Sequence, residues 1–144
     1  MNEIFFFSTK VASTHGDHNV YVSEVKSGRC IRTLKGHPRT PWCVAFHPAS
    51  NQIIASGCLA GEVRVWDMQG GSEVFIPPKT ENPGITSLAF HPKDHVLVVA
   101  TNTQLYFWDW SRPEPFEKIS TGSEKERIKY LWIIFFLFGS IVVF

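Results

Sequence analysis

The chain has 144 residues, with 14 Lys+Arg against 13 Asp+Glu. A net charge of +1 excludes a chain-wide electrostatic attraction to nucleic acid or anionic membranes. Apolar residues at 44% and charged residues at 19% exclude a disordered polyelectrolyte.

The N-terminus, Met1 to Phe7, has no basic region, carries an acid at Glu3, and has a short apolar run. A secretory core needs roughly 7–15 apolar residues, so no signal peptide is expected. Residues 1–10 stand apart as a non-repeating N-terminus. Val11–Thr14 and Asn19–Glu24 flank a turn at His15-Gly16-Asp17-His18 and predict a strand pair. From Val25 to Gly61 there is no acid, while Lys26, Arg29, Arg32, Lys35 and Arg39 are basic. Two readings stand: a solvated, edge-protecting strand face, or a contact for an acidic or phosphorylated partner.

Next comes Gly36-His37, then Trp42-Cys43-Val44-Ala45-Phe46-His47-Pro48, Ile53–Gly57, and Gly61-Glu62-Val63-Arg64-Val65-Trp66-Asp67. Val63 and Val65 alternate with Arg64 and Trp66, the period of a strand. The same order returns in Ile85–Pro92, Leu97–Thr101 and Gln104–Asp109. Phe-His-Pro starts at 46 and 90, Trp-Asp at 66 and 108, and Ala12-Ser13 precedes Ala55-Ser56. Short alternating strands at a period of about 40–45 residues, with Gly-His and Trp-Asp marks, define a WD-repeat propeller blade. The fold expected is all-β, an incomplete WD40-type propeller of two full four-stranded blades plus one partial blade. At about 42 residues per blade the chain holds roughly three, and two apolar outer sheet faces are expected without neighbours.

From Tyr130 to Phe144 there are 15 residues without a charge. As a helix this run reaches about 22 Å, short of a hydrocarbon core of about 30 Å. Three readings compete: an end that replaces a normal blade strand, a short anchor over Leu131 to Phe144 behind Lys125, Arg127 and Lys129, or a buried strand pair turning at Gly139-Ser140. The domain reading is 1–10, a propeller arc over 11–127, and an apolar tail over 128–144. Cys30, Cys43 and Cys58 form no CxxC pair, and no Asn-x-Ser/Thr acceptor occurs. A reducing, cytoplasmic setting is expected, with membrane association through the tail as the alternative.

Chemistry-bearing motifs are few. There is no P-loop, GxGxxG, GxSxG or HExxH, so no catalytic residue, cofactor or enzyme activity is assigned. His15, His18 and the pair Cys43/His47 do not make the four converging ligands of a zinc site, and no metal is assigned. Asp67 and Asp109 each close a blade strand. Pro41-Trp42, Trp110 and Phe116 are expected exposed, with Arg39 and Arg112, as partner-binding candidates, because aromatics and Arg dominate hot spots. Trp110 and Arg112 rank ahead of Trp42, which could equally begin a core strand.

Gly36-His37-Pro38-Arg39-Thr40-Pro41-Trp42-Cys43-Val44, Ile54–Leu59, Gly61–Asp67 and Gly70–Glu73 resemble the first propeller segment of the Ambra family, the activating molecules in Beclin-regulated autophagy. So do Phe107-Trp108-Asp109-Trp110-Ser111-Arg112 and Glu114-Pro115-Phe116. The resemblance covers about Val11 to Arg127. It implies a non-enzymatic scaffold that receives substrates for a cullin–RING ubiquitin ligase through its adaptor and acts with Beclin-type autophagy proteins. It also implies missing propeller blades supplied by another segment. By the blade pattern, His37, Ser56 and Trp66 share a hydrogen-bond network, with Asp67, Trp108 and Asp109 as further structural marks. Ala60 stands where the pattern has an acid, so the network is expected to be cut short. The Trp-Asp-x-Arg docking motif of ligase receptors is absent: Gln69 follows Met68, and Arg112 arrives one residue late. Residues 1–10 do not resemble the family's adaptor-docking helix.

Overall fold

The computed structural model describes residues 4–7, 9–75, 84–101, 104–112 and 117–120. These residues form three antiparallel sheets of four strands, with no helix among them. The first contains β1 (Ile4–Phe7), β2 (Lys10–Thr14), β3 (Val20–Glu24) and β4 (Cys30–Leu34). The second contains β5 (Pro41–His47), β6 (Ser50–Cys58), β7 (Val63–Asp67) and β8 (Ser72–Phe75). The third contains β9 (Ile85–Phe90), β10 (Val96–Thr101), β11 (Gln104–Asp109) and β12 (Glu117–Ser120). In each sheet the strands lie side by side in chain order, as in a propeller blade. The blade read as partial is four-stranded, because Ile4–Phe7 pairs with Lys10–Ser13. The repeat marks do not reach that far upstream, which is why the sequence pattern missed it.

Alternation along the strands gives every sheet two faces. Ala12, Val20 and Val22 of the first sheet meet Val44, Phe46, Ile54 and Trp66 of the second in one core. Cys43, Ala45, Ala55, Val63 and Val65 on the second sheet's other face meet Leu88, Phe90, Leu97 and Trp108 of the third. The rule repeats: a face of small residues receives a Phe, a Leu or Ile, and a Trp from the next sheet. Gly57 allows that approach, since a Cβ there would sit 2.7 Å from Ile85 Cβ and 2.9 Å from Cys43 Sγ.

The two outer flanks differ from the expectation that both would be apolar. On the first sheet, Ser13, Tyr21 and Ser23 are half-exposed and Thr33 exposed. On the third, Ala89, Val98, Ala100 and Leu105 form a buried apolar cluster with Phe107 packed against it. Pairing registers explain the contrast. Ala12 opposes Val22 and Ala55 opposes Val65, so Ser23 occupies the place that Trp66 fills one sheet later.

Candidate functional site

The inner end of the second sheet holds the network marked by Gly36-His37. Trp66 Nε1 donates to Ser56 Oγ at 2.8 Å, and His37 Nε2 lies 2.7 Å from the same oxygen. Ser56 Oγ keeps a proton and a second lone pair, so the contact to Nε2 closes with either tautomer of the neutral ring, and the other ring nitrogen is Nδ1. That atom has no hydrogen-bond partner, yet Glu62 Oε1 stands 3.6 Å away. Glu62 thus places a carboxylate beside the ring two residues after Ala60, but at this distance it makes no hydrogen bond, and the hydrogen-bonded chain ends at His37. Arg64 Nε bonds the same Glu62 oxygen and its guanidinium lies 5.4 Å from the Trp66 ring centroid. Gly36 has φ +147° and passes so close to Arg64 that a Cβ would meet Nη1 at 2.7 Å. Glycine is needed there for its dihedral, while a Cβ would only have to push the end of the Arg64 side chain aside. Burial, with Arg64 adding repulsion, lowers the His37 pKa to about 4, so the ring is neutral near pH 7.

The third sheet does not repeat this network. Laying Ile53–Gly57 over Leu97–Thr101 sets Ser56 against Ala100, but the register sets it against Val99. Ser56 opposes Val44 and Arg64; Val99 opposes Leu88 and Tyr106. With no hydroxyl available, Trp108 Nε1 donates instead to the Arg112 carbonyl at 2.8 Å. Asp67 and Asp109 shape the turns that follow their strands. Asp67 Oδ1 accepts from the Gln69 amide at 2.8 Å, and Asp109 Oδ1 from the Ser111 amide at 2.9 Å and hydroxyl at 2.6 Å. The Ser111 bonds, with Arg112 beside them, hold the Asp109 carboxyl below its ordinary pKa. The two His-Pro histidines act alike: His47 Nδ1 accepts the Ala49 amide, and His91 Nδ1 accepts that of Asp94.

The partner-binding candidates separate in space. Trp42 is 47% exposed. It has no partner across the sheet, because the register shifts between Pro41 and Cys43. Such a bulge re-aims a side chain, and here it turns a tryptophan of an inner strand outward. Pro41 is buried, contrary to expectation. Arg39 is exposed in the loop before β5, and Leu59, 36% exposed, is tied to that loop by its amide bond to the Thr40 carbonyl. Trp110 is half-buried rather than exposed. Its ring meets Phe90 at 5.2 Å, His95 at 5.3 Å and His47 at 5.8 Å, all edge-on. Arg112 is exposed and pairs with Asp109 at 3.7 Å. Phe116 lies outside the described residues. The structure thus groups Arg39, Trp42 and Leu59 at one rim and leaves Trp110 and Arg112 apart from them. Leu59 was not singled out in the sequence as a partner-binding candidate.

Lys26, Arg29, Arg32, Lys35 and Arg39 are all exposed. Arg32 and Lys35 flank a cleft of about 440 Å³ between β4 and the turn after β7, with Asp67 on the opposite wall. A Ser-His-Asp grouping also occurs on the first turn, with Ser13 Oγ 2.9 Å from His15 Nε2. It is not a triad. Asp17 receives Tyr21 and Asn19 instead, which lowers its pKa and raises that of Tyr21. Among the described residues no three His, Cys, Asp or Glu side chains converge as metal ligands.

Three four-stranded sheets stacked small face to large, with one His-Ser-Trp network, define a segment of a β-propeller of the WD-repeat class. The match to "WD domain, G-beta repeat" spans residues 28–67 and 75–109, and the chain belongs to that family. It is similar to "Activating molecule in BECN1-regulated autophagy protein 1B" of Danio rerio, 56% identical over 119 residues, covering 83% of this chain and 9% of the relative. The 1A protein of the same organism is 55% identical over the same share of each chain. "Periodic tryptophan protein 2 homolog" of Schizosaccharomyces pombe is 30% identical over 99 residues, 68% of this chain and 11% of the relative. The chain therefore spans about a tenth of the length of these relatives. The resemblance to Ambra scaffolds, read from Pro-Trp-Cys-Val and Trp-Asp-Trp-Ser-Arg, is borne out.

Proposed function

We propose that this chain is a non-enzymatic, cytoplasmic protein-interaction segment of an Ambra-type scaffold, with its partner surface at the rim of Arg39, Trp42 and Leu59. The observation that carries it is Trp42: a large aromatic, 47% exposed, turned outward by a bulge on a strand whose other residues are buried. Nearly half of this side chain's surface stays in water and adds nothing to folding, while interface cores favour Trp and Arg. The relatives' printed name ties them to BECN1-regulated autophagy. A Beclin-type autophagy protein and the adaptor of a cullin–RING ubiquitin ligase are accordingly the proposed partners, and substrate reception the proposed role. Three free cysteines, two of them buried, support a reducing compartment. The test is affinity capture from cells with the tagged chain and with Trp42→Ala and Arg39→Ala. The reading expects recovery of one of these partners by the parent chain and its loss with Trp42→Ala. Capture that is equal for all three forms removes the rim from the interface.

A further inference from the structure

We propose that the apolar tail of this chain, Leu131 to Phe144, covers the outer flank of its own third sheet and takes the place of a next blade. The flank is built to receive one. Ala89, Val98, Ala100 and Leu105 point away from the second sheet and are 0–5% exposed, although no described strand packs on that side. The two sheet-to-sheet cores show what such a small-residue face takes: Phe46, Ile54 and Trp66 in one case, Phe90, Leu97 and Trp108 in the other.

The tail carries the same chemistry in Trp132-Ile133-Ile134-Phe135-Phe136-Leu137-Phe138 and, beyond Gly139-Ser140, in Ile141-Val142-Val143-Phe144. Its position along the chain also fits. Residues 35–40 carry the chain from outer strand β4 to inner strand β5, and residues 76–84 from β8 to β9. Residues 121–130 lie between outer strand β12 and the start of the tail, a connection of comparable length. A segment tethered this closely meets the flank at high effective concentration, ahead of a second copy or a lipid surface.

Photo-crosslinking of the full chain tests this. Phe107→p-benzoylphenylalanine exchanges one aromatic for another beside the flank cluster. Irradiation at low protein concentration, digestion and mass spectrometry should give intrachain links to peptides within 131–144. Phe135→Asp with Phe138→Asp should abolish those links. Links to other parts of the chain, links between chains, or transfer to phosphatidylcholine vesicles with loss of the intrachain product would each overturn the proposal. Val98→Cys in a Cys30→Ser background gives a second readout that needs no crosslinker. Maleimide labelling should be slow and independent of protein concentration in the parent tail. It should be faster in the Phe135→Asp, Phe138→Asp form. Equal rates in both forms would also overturn the proposal.

Discussion

The outer flank of the first sheet and that of the third are the two opposite faces of the repeat unit, the large-residue face and the small-residue face, and only the second keeps the apolar chemistry of its counterpart inside the stack. The first presents Ser13, Tyr21, Ser23 and Thr33, all at least half-exposed. The third presents Ala89, Val98, Ala100 and Leu105, all buried. What changes at the first flank is one set of positions. Ser23 replaces the tryptophan that Trp66 and Trp108 supply in the next two sheets, and Tyr21 faces outward to bond Asp17. A propeller blade therefore does not carry a fixed demand for a neighbour on both sides. The demand is written residue by residue, and here it is strong on one flank only.

The sharpest way to break this contrast is to place a charge on each flank. Val98→Asp puts a carboxylate among fully buried apolar side chains, and an uncompensated buried charge costs about 3–5 kcal/mol. Ser23→Asp places the same group on a half-exposed polar face, where a shift within about 0.5 kcal/mol is expected. Urea unfolding followed by far-UV circular dichroism measures both. Equal losses would mean that the two flanks are not different in kind.

Acid separates the sheets by another route. His37 lies in the second sheet's network, and its pKa is lowered from 6.5 to about 4 in the folded chain. The unfolded chain takes up its proton first as pH falls, so the neutral ring stabilises the fold above about pH 6.5. That contribution, on the order of 3 kcal/mol, is lost as pH falls toward about 4. Thermal melts between pH 7 and 4 should show the fall, and His37→Gln should flatten it over that window. Retention of the parent slope in His37→Gln would place the proton uptake on another group.

A smaller effect follows from the same network. Ser56→Ala removes the oxygen shared by His37 and Trp66, leaving two buried polar nitrogens without that partner. The cost expected is about 1–3 kcal/mol, read from the urea midpoint. The third sheet already lives with Val99 at this register position and routes Trp108 to a carbonyl. Val99→Ala should therefore cost only the lost methyl groups, about 1–2 kcal/mol, with no change in the environment of Trp108. A cost near zero for Ser56→Ala would mean that water replaces the hydroxyl.

The fold was legible in the sequence because a blade repeats its marks: Phe-His-Pro, Trp-Asp and the small residues at Ala12 and Ala55 recur at nearly fixed spacing. Those marks failed where one residue shifts the meaning. The turn after Phe46 is longer than the turn after Phe90, so the alignment of residue types set Ser56 against Ala100 while the ladder sets it against Val99. The acid beside His37 was missed because the blade pattern looks for it at Ala60, whereas Glu62 reaches in from the far side of the turn. Trp110 reads as an anchor by type, but exposure depends on neighbours brought from two separate stretches, His47 and the turn from Phe90 to His95, which spacing does not reveal. Trp42 was ambiguous for the opposite reason: its place on an inner strand argued for the core, and only the register shift at Pro41–Cys43 frees it.

That register shift makes Trp42 a modest effect on folding and the largest on recognition. A side chain already 47% in water covers only part of its surface, so Trp42→Ala should cost roughly 1 kcal/mol of stability, less than a ring packed in the core. A hot-spot tryptophan at an interface costs 2 kcal/mol or more, about thirtyfold in affinity, when cut back to alanine. The two measurements must therefore diverge if the rim binds a partner. Trp110→Ala provides the counterpart: this half-buried ring packs on Phe90 at 5.2 Å, and its removal should cost roughly 2–3 kcal/mol of stability. A Trp42→Ala chain as destabilised as the Trp110→Ala chain would show that the bulge holds the core together and does not present a side chain to others.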